Sequence, residues 1–151
     1  HDINDKWSVM AEFGRTYWSS FDTLDIYGEN NGKMSTTEER WKDTTFYAIG
    51  ASYQYNDQWK FRVGFAVDQS AVGQEYRTPR IPDSDRLWYS SGIEYKYNDD
   101  WTFNLGYTYI RADKGKVKLL GYHDGDNARG SLQADYENDI HILGFGASYN
   151  F

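Results

Sequence analysis

The sequence predicts an all-β fold, an antiparallel up-and-down transmembrane β-barrel, to which these residues contribute about six strands. Apolar and polar side chains alternate with a period of two in six segments. Two hairpins share one sequence pattern, and short turns alternate with long connections along the chain. Residues 1–151 are therefore expected to form a single barrel segment. A soluble antiparallel sandwich with a tyrosine-rich surface is the alternative that fits the alternation alone.

Each predicted strand carries apolar residues at every second position and polar or small residues between them. In residues 59–68, for example, the apolar face runs from Trp59 to Val67 and the opposite face from Lys60 to Asp68. The apolar faces of the other five are, in chain order, Trp7, Val9, Ala11, Phe13 and Tyr17; Tyr47, Ile49, Ala51, Tyr53 and Tyr55; Leu87, Tyr89, Ile93, Tyr95 and Tyr97; Trp101, Phe103, Leu105, Tyr107 and Tyr109; and Leu143, Phe145, Ala147, Tyr149 and Phe151.

An internal repeat links neighbouring strands. Residues 50–64 read GASYQYNDQWKFRVG and residues 92–106 read GIEYKYNDDWTFNLG, so both contain Tyr-x-Tyr-Asn-Asp-x-Trp-x-Phe. Asn-Asp pairs supply the chemistry of tight turns between paired strands. A partial third copy, Asn4-Asp5-Lys6-Trp7, lacks the strand that precedes the other two. We therefore expect a strand before residue 1, from the natural chain or from a partner chain.

The other connections are long, at about residues 19–44, 68–86 and 111–139. Short turns at one end and long loops at the other are typical of outer-membrane barrels. Residues 24–27 and 116–120 within these loops still look strand-like, which predicts strand extensions beyond the membrane.

Three features indicate that the apolar face meets lipid. The segments have the roughly nine to eleven residues that a tilted strand needs to cross a bilayer. Aromatic rings gather near the short turns, as in an interfacial girdle, and charged residues occupy the opposite face. Single-chain membrane barrels start at about eight strands, and an open edge in lipid is costly. Missing strands or other chains are thus expected to complete the barrel.

Composition excludes several classes of protein. Aromatic residues make up 19% of the chain although the mean hydropathy is -0.85, which argues against disorder. No apolar run is long enough for a transmembrane helix. A net charge of -7 argues against nucleic acid as a partner. Without cysteine, the chain has no disulfide, zinc–thiolate site or cysteine nucleophile.

Several segments resemble one family of proteins. The run Arg77-Thr-Pro-Arg-Ile-Pro-Asp-Ser-Asp-Arg86, followed by Trp88, resembles the FadL family of outer-membrane transporters for long-chain fatty acids and other hydrophobic molecules. Residues 59–68, 105–110 and 141–151 fit the same family. The likeness covers nearly the whole chain but only the C-terminal part of the family's longer barrel. It implies passive uptake of a hydrophobic small molecule at the bacterial outer membrane, without a cofactor or enzymatic step.

The resemblance also implies parts and partners. Family members carry an N-terminal plug and an early kinked strand, which these residues do not contain. Phe151, after Tyr149, fits the C-terminal aromatic signal that the barrel insertion machinery of the outer membrane reads. The expected partners are the lipid bilayer with its lipopolysaccharide, a hydrophobic ligand, that machinery and any chains that complete the barrel. The competing function is a non-transport role, as a structural or binding half-barrel completed by other chains.

The candidate ligand-binding residues lie on the predicted inner face: they are Trp18, Phe46, Lys60, Arg62, Trp88 and Lys96. Lys60, Arg62 and Lys96 suit a fatty carboxylate, or else they form ion pairs with lumen carboxylates. The carboxylates available for such pairs are Glu12, Asp68 and Glu94. The large groups Trp18, Phe46, Trp88, Ile110, Ile140 and Ile142 mark an apolar path through the lumen, or plain packing of the wall.

The loop motif comprises Arg80, Ile81, Pro82, Asp83, Asp85 and Arg86. It either orders the extracellular rim or a substrate entry, or is a rigid loop held by its own ion pairs. In both cases Arg77, Arg80 and Arg86 are expected to pair with Asp83 and Asp85.

Two further sequence patterns are weaker indications of a metal site and of a catalytic site. His123, Asp124, Asp126 and Asn127 resemble part of a calcium loop but lack its final glutamate, so a solvated acidic loop is the competing interpretation. An outer-membrane acyltransferase would need His123 beside a serine, and no spacing marks one. His141 is expected to face lipid or the interface. We predict no catalytic residue, no metal site and no cofactor.

Overall fold

The computed structural model describes residues 1–29, 31–121 and 130–151, which form ten strands and a 3-10 turn at Trp18–Ser20. The strands are β1 (Trp7–Thr16), β2 (Thr23–Tyr27), β3 (Lys33–Glu38), β4 (Thr44–Gln54), β5 (Trp59–Asp68), β6 (Arg86–Lys96), β7 (Trp101–Ala112), β8 (Gly115–Leu119), β9 (Leu132–Tyr136) and β10 (Asp139–Tyr149). Six of them form one antiparallel sheet in the order β1-β4-β5-β6-β7-β10. The six predicted strands are confirmed, and the barrel is not closed because β1 and β10 remain its edges. No helix in the described ranges is long and apolar enough to cross a membrane.

The sheet has two chemically different faces because side chains alternate along every strand. The outer face carries the large apolar residues and is open to its surroundings: Phe13 is 62% exposed, Leu143 74% and Phe145 76%. The inner face carries the charged and small residues, with a few large apolar groups near the cap. The cross-strand register places residues of the same face opposite each other: Phe61 lies opposite Ile93 on the outer face, and Lys60 lies opposite Glu94 on the inner face. A soluble protein rarely exposes such a continuous apolar surface, so the sheet is built to meet lipid.

Three short turns are built in the same way at one end of the sheet. In each turn, the side-chain oxygen of an asparagine accepts hydrogen bonds from the backbone N–H groups two and three residues later in the chain. These two hydrogen bonds close an Asx turn. The distances from Asn4 Oδ1 are 2.9 Å to Lys6 N and 3.0 Å to Trp7 N; from Asn56 Oδ1, 3.0 Å to Gln58 N and 2.9 Å to Trp59 N; and from Asn98 Oδ1, 3.0 Å to Asp100 N and 2.7 Å to Trp101 N. The predicted turn chemistry is confirmed, and asparagine supplies it.

The first of these turns also begins a third hairpin. Asp2 forms a bridge with Ser8, and the backbone of His1 exchanges hydrogen bonds with Val9. Ile3 N donates to Trp7 O, as Tyr55 N does to Trp59 O. The first residues of the chain therefore extend alongside β1 as the preceding strand of each other copy does.

The three long connections, residues 17–43, 69–85 and 113–138, lie at the other end of the sheet; their described parts are called the cap. The predicted strand-like stretches are found there as β2 and β8. β2 pairs with β3 and β8 with β9, in two hairpins that form sheets separate from the wall. β8 begins three residues after β7 ends, and Ala112 N donates to Asn138 O between the two pairs, so the β8–β9 hairpin continues the β7–β10 pair beyond the wall. The alternation that marks β8 places Val117 and Leu119 in the interior of the cap.

The cap contains most of the buried core. Ala71, Val72, Val117 and Leu119 are between 2% and 6% exposed, and in the wall only Ala66 and Ile110 are comparably buried apolar groups among the described residues. Ser19 donates hydrogen bonds to the carboxylate of Asp43, the residue before β4, and so holds the start of the first connection against the base of this strand. The same hydrogen bonds hold the pKa of Asp43 below its ordinary value. The cap is therefore a packed layer, whereas the wall is a single sheet.

We predict that replacing the asparagine of a short turn weakens the barrel. Asn56→Ala removes the acceptor of two backbone N–H groups and is expected to lower the free energy of unfolding by about 1 kcal/mol. The measurement is guanidinium unfolding of the purified protein in detergent micelles, followed by tryptophan fluorescence. Asp57→Ala is the matched control, since Asp57 makes no hydrogen bond with a described residue. Equal losses in both variants would contradict the role of the Asn56 side chain.

Candidate functional site

The middle of the inner face is lined by glycine. Across neighbouring strands Gly50 lies opposite Gly64, Gly92 opposite Gly106, and Gly106 opposite Gly144. A Cβ added at Gly106 or Gly144 would have no atom within 4 Å, so the space above them is open. The same glycines, with Ser90 and Asn104, line a trough of about 540 Å³ on this face. The trough is a shallow, smooth passage along the wall.

Charged residues lie along the trough towards the short turns. Arg62 forms an ion pair with Glu94, and its Nη1 lies 3.4 Å from Asn104 Oδ1. Lys96 pairs with Asp99 at 2.8 Å. Lys60 lies opposite Glu94 in register and has no carboxylate within ion-pair distance among the described residues. The predicted pairing with lumen carboxylates is therefore found for Arg62, while Lys60 keeps its charge available.

Large apolar groups lie along the trough towards the cap. Trp88 is in register with Ala66 on one side and Ile110 on the other, and Ile110 in turn with Ile140. The indole Nε1 of Trp88 is buried and finds no acceptor in the described parts of the chain. Phe46 lies one row nearer the cap, opposite Asp68. The inner face thus changes from cationic near the short turns, through glycine, to aromatic near the cap.

Trp18 is not part of this row. β1 ends at Thr16, and the backbone at Tyr17 turns into the 3-10 turn, so the alternation that assigned Trp18 to the inner face does not reach it. Its ring instead contacts Trp41 in the cap, with ring centroids 5.1 Å apart. The prediction of Trp18 as a lumen residue is corrected for this reason.

Aromatic rings mark both ends of the outer face. Near the short turns Trp59 stacks on Tyr95 with centroids 4.4 Å apart, and Trp101 contacts Tyr149 at 5.0 Å. Near the cap His141 stacks on Tyr109 at 5.0 Å, and its Nδ1 lies 2.7 Å from the hydroxyl of Tyr107. His141 is thus on the outer face, and the two bands have the amphipathic character of membrane-interface girdles.

Arg77 holds the second connection against the third. Its guanidinium group is buried, at 9% exposure, and donates to three backbone carbonyls. Nε lies 2.6 Å from Asp83 O, Nη1 3.0 Å from Lys116 O, and Nη2 3.4 Å from Val72 O. The sequence predicted carboxylate partners for Arg77. Carbonyls take their place because the loop folds around the guanidinium group.

The loop motif forms its own network at the base of the cap. Arg86 pairs with Asp68 at 3.0 Å and with Asp83 at 2.9 Å, and Asp85 accepts the N–H of Ser70 at 2.7 Å. Ile81 and Arg80 are exposed, and Arg80 has no ion pair with a described residue. Pro82 contributes its carbonyl near Gly115, where an added Cβ would lie 3.7 Å from it. These contacts support the interpretation of a rigid loop held by its own ion pairs.

The suggested calcium loop, with His123, Asp124, Asp126 and Asn127, lies outside the described residues. Within the described ranges, no three His, Asp or Glu residues are grouped as metal ligands. Sequence reasoning did not identify the glycine trough or the three backbone carbonyls that accept hydrogen bonds from Arg77. Gly50 and Gly92 occupy equivalent positions in the two copies of the repeat, and this was the sequence signal from which the trough could have been predicted.

The chain matches a family model described as outer membrane protein transport protein (OMPP1/FadL/TodX) over residues 1–151. It is 30% identical over 146 residues to a long-chain fatty acid transport protein of Escherichia coli O6:H1, covering 97% of this chain and 31% of that protein. It is 31% identical over 154 residues to outer membrane protein P1 of Haemophilus influenzae, covering 100% of this chain and 33% of that protein.

A solved structure of a Pseudomonas aeruginosa FadL homologue superposes with a TM-score of 0.89 at 28% identity, covering 99% of this chain and 33% of that one. The Pseudomonas putida toluene transporter TodX shares the fold, with a TM-score of 0.60 at 22% identity over 100% of this chain and 32% of that one. The chain spans about a third of the length of these relatives.

We predict that Arg77 determines the order of the cap and not that of the wall. Arg77→Lys keeps the charge, but its compact ammonium group cannot reach the three carbonyls that lie around the planar guanidinium group. Trypsin added to intact cells should therefore cut residues 69–85 at least five times faster. Arg80→Lys is the matched control in the same loop. The wall should keep its electrophoretic resistance to unheated detergent in both variants. Unchanged cleavage of the Arg77 variant would show that the order of the cap does not depend on the hydrogen bonds of Arg77 to the three carbonyls.

Proposed function

The chain belongs to the OMPP1/FadL/TodX family of outer-membrane transport proteins, and from that premise we propose that it forms part of the wall of a passive uptake channel for hydrophobic small molecules. The family consists of transport proteins, not enzymes, and its members lie in the bacterial outer membrane. The observation that supports the proposal most directly is the difference between the two faces of the sheet. The outer face suits lipid, and the inner face offers an open glycine trough between cationic and aromatic ends.

The finer proposal concerns the substrate, a long-chain fatty acid. An amphiphile of this kind needs an apolar track and a cation for its carboxylate. On the inner face Phe46 and Trp88 supply aromatic surface, and Arg62 and Lys96 carry charges already shared with carboxylates. Lys60 is the inner-face cation best placed to receive the head group, since no described carboxylate neutralises it.

We further propose that residues 1–151 are one segment of a larger barrel. Each open edge strand exposes a row of backbone N–H and C=O groups, and in lipid every such unpaired group costs several kcal/mol. Strands from the rest of the barrel, or from other chains, would pair with β1 and β10. The relatives are about three times as long as this segment, which supports completion within one chain.

Uptake measured in cells tests the transport proposal. Disruption of the gene should abolish uptake of a radiolabelled long-chain fatty acid, and the intact gene should restore it. Loss of uptake of toluene alone would keep the family function but overturn the fatty acid as substrate. Unchanged uptake of both compounds would favour a non-transport role.

We predict that bulk added to the trough slows uptake. Gly106→Phe places a ring in open space on the inner face, so the wall should fold while uptake of the fatty acid falls at least fivefold. Leu105→Phe places the same ring at the neighbouring position on the outer face and should leave uptake within twofold of the unaltered protein. Equal rates in the two variants would show that substrate does not pass along the trough.

We also propose that Phe151 is the signal read by the barrel insertion machinery, because its ring is fully exposed beyond the end of β10. Phe151→Ala is expected to lower the amount of protein in the outer membrane several-fold, as measured by immunoblotting of membrane fractions. Asn150→Ala serves as the control and should insert normally. Normal insertion of the Phe151 variant would overturn the proposed signal.

A further inference from the structure

The tip of the β2–β3 hairpin in the cap joins an asparagine to a glycine. The sequence contains nine asparagines, and Asn31 is the only one that glycine follows. Asn31 and Gly32 are both exposed at the end of the hairpin. In such a pair the second residue has no Cβ, so its backbone nitrogen can come close to the asparagine side chain. The hairpin tip therefore places an amide next to a nitrogen that is able to react with it.

The backbone at this tip is held by few contacts. Asn31 N donates to Gly28 O at 3.0 Å, and Gly28 N donates to Gly32 O at 2.9 Å. Asn31 has a φ of 55°, in the left-handed region, which asparagine tolerates better than most residues but which is still unfavourable for a residue with a Cβ. The hairpin is a sheet of two strands, and such a sheet is only marginally stable by itself. The tip can therefore open without disturbing the wall.

The reacting groups are free of competing contacts. Within the described residues, the Asn31 side chain makes no hydrogen bond, and the N–H of Gly32 has no acceptor. A Cβ added at Gly32 would have no atom within 4 Å. The peptide that joins the two residues thus lies in open space, where it can rotate until the Gly32 nitrogen faces the Cγ atom of Asn31.

The asparagines of the short turns are in the opposite situation. The Oδ1 atoms of Asn56 and Asn98 each accept two backbone N–H groups, which fixes their amides in the Asx turns. Both are followed by aspartate, whose own side chain hinders the approach of its backbone nitrogen. These two amides are therefore held away from reaction, which makes them reference sites within the same protein.

We propose that Asn31 is a modification site, at which the side-chain amide is lost spontaneously through a cyclic imide with Gly32. The Gly32 nitrogen gives its proton to hydroxide and bonds to Asn31 Cγ. The bond from Cγ to the side-chain nitrogen breaks, and this nitrogen takes up a proton from water and leaves as ammonia. Water then opens the imide at either carbonyl and leaves aspartate, or isoaspartate, in which the backbone runs through Cγ. The reaction consumes water, releases ammonia and needs no oxidant, reductant or enzyme.

The product changes the hairpin tip in two ways. The new carboxylate lies two residues from Glu29, which it repels, and two residues from Lys33, which already pairs with Asp25 at 3.0 Å. Isoaspartate also adds a backbone atom between Asn31 N and Gly32 O, the two atoms whose hydrogen bonds close the tip. Both effects loosen the hairpin, so the first connection of an old molecule differs from that of a new one. This inference goes beyond transport and does not depend on it.

Mass spectrometry of aged protein tests the site. Isolated outer membranes that contain the full protein are incubated in heavy-oxygen water at neutral and at mildly alkaline pH, and are then digested with trypsin in ordinary water. Fragment spectra show which asparagine has exchanged its amide for a carboxylate, and the heavy oxygen excludes exchange before or after the incubation. We expect Asn31 to convert at least ten times faster than Asn56 or Asn98. Its conversion should be faster at the higher pH, because hydroxide removes the Gly32 proton.

Gly32→Ala separates the reaction from the fold. The added methyl group meets open space, so the hairpin should keep its structure, but it hinders the approach of the nitrogen and should slow the conversion of Asn31 at least tenfold. Ser35→Ala is the matched control in β3, since it leaves the Asn–Gly pair unchanged and should convert within twofold of the unaltered protein. Equal rates at Asn31 and at the short-turn asparagines would overturn the proposal. So would conversion that survives Gly32→Ala, or that appears only after the protein has been unfolded in guanidinium.

Proteolysis measures the effect of the modification on the hairpin. Trypsin should cut aged protein after Lys33 at least three times faster than freshly made protein, and ageing should leave the cutting of the Gly32→Ala variant unchanged. Equal cutting of fresh and fully converted protein would overturn the loosening of the hairpin. Neither measurement involves uptake, so failure of the transport proposal would leave both results standing.

Discussion

Pairing of every backbone N–H and C=O group with a neighbouring strand is the constraint on which the rest of this structure depends. In lipid no water replaces a lost partner, so a strand survives there only between two others. The registers of β4, β5, β6 and β7 satisfy this condition on both sides. The requirement falls on the backbone, which leaves side chains free to differ between the two faces. Transport chemistry can therefore be placed on one face without weakening the wall.

The same constraint explains where the apolar core lies. Burial of apolar side chains against each other brings little gain in the wall, because lipid is as apolar as the side chains it meets. The hydrophobic effect acts only where water is the alternative, and that is in the cap. Val117 and Leu119 are buried there while Leu143 and Phe145 remain exposed on the wall. The chain thus has two parts, stabilised by different forces, which meet at the row of Asp68 and Arg86.

Sequence alone predicted the wall well and the cap poorly, for a physical reason. Period-two alternation is a local property that each strand carries by itself, so all six strands and their faces followed from it, and the repeat predicted the turns at Asn56 and Asn98. The cap depends on contacts between distant loops, which no local pattern encodes. Arg77 was expected to bind carboxylates but is held by carbonyls of Val72, Asp83 and Lys116. Trp18 was misplaced because alternation was continued past the end of β1.

The glycines connect the repeat to the proposed function. Gly50 and Gly92 occupy equivalent positions in the two repeated hairpins, and their partners Gly64 and Gly106 close each copy. Glycine weakens the interior of a strand, because it loses more backbone entropy on folding than other residues and has no side chain that could pack against neighbours. Five glycines in two adjacent cross-strand rows are therefore costly unless the missing side chains serve a purpose, and open space along the inner face is what they provide. A smooth middle cannot select between substrates, so selection has to occur at its two ends. The aromatic row at Trp88 and the cationic row at Lys60 and Arg62 are the places where this wall can do so.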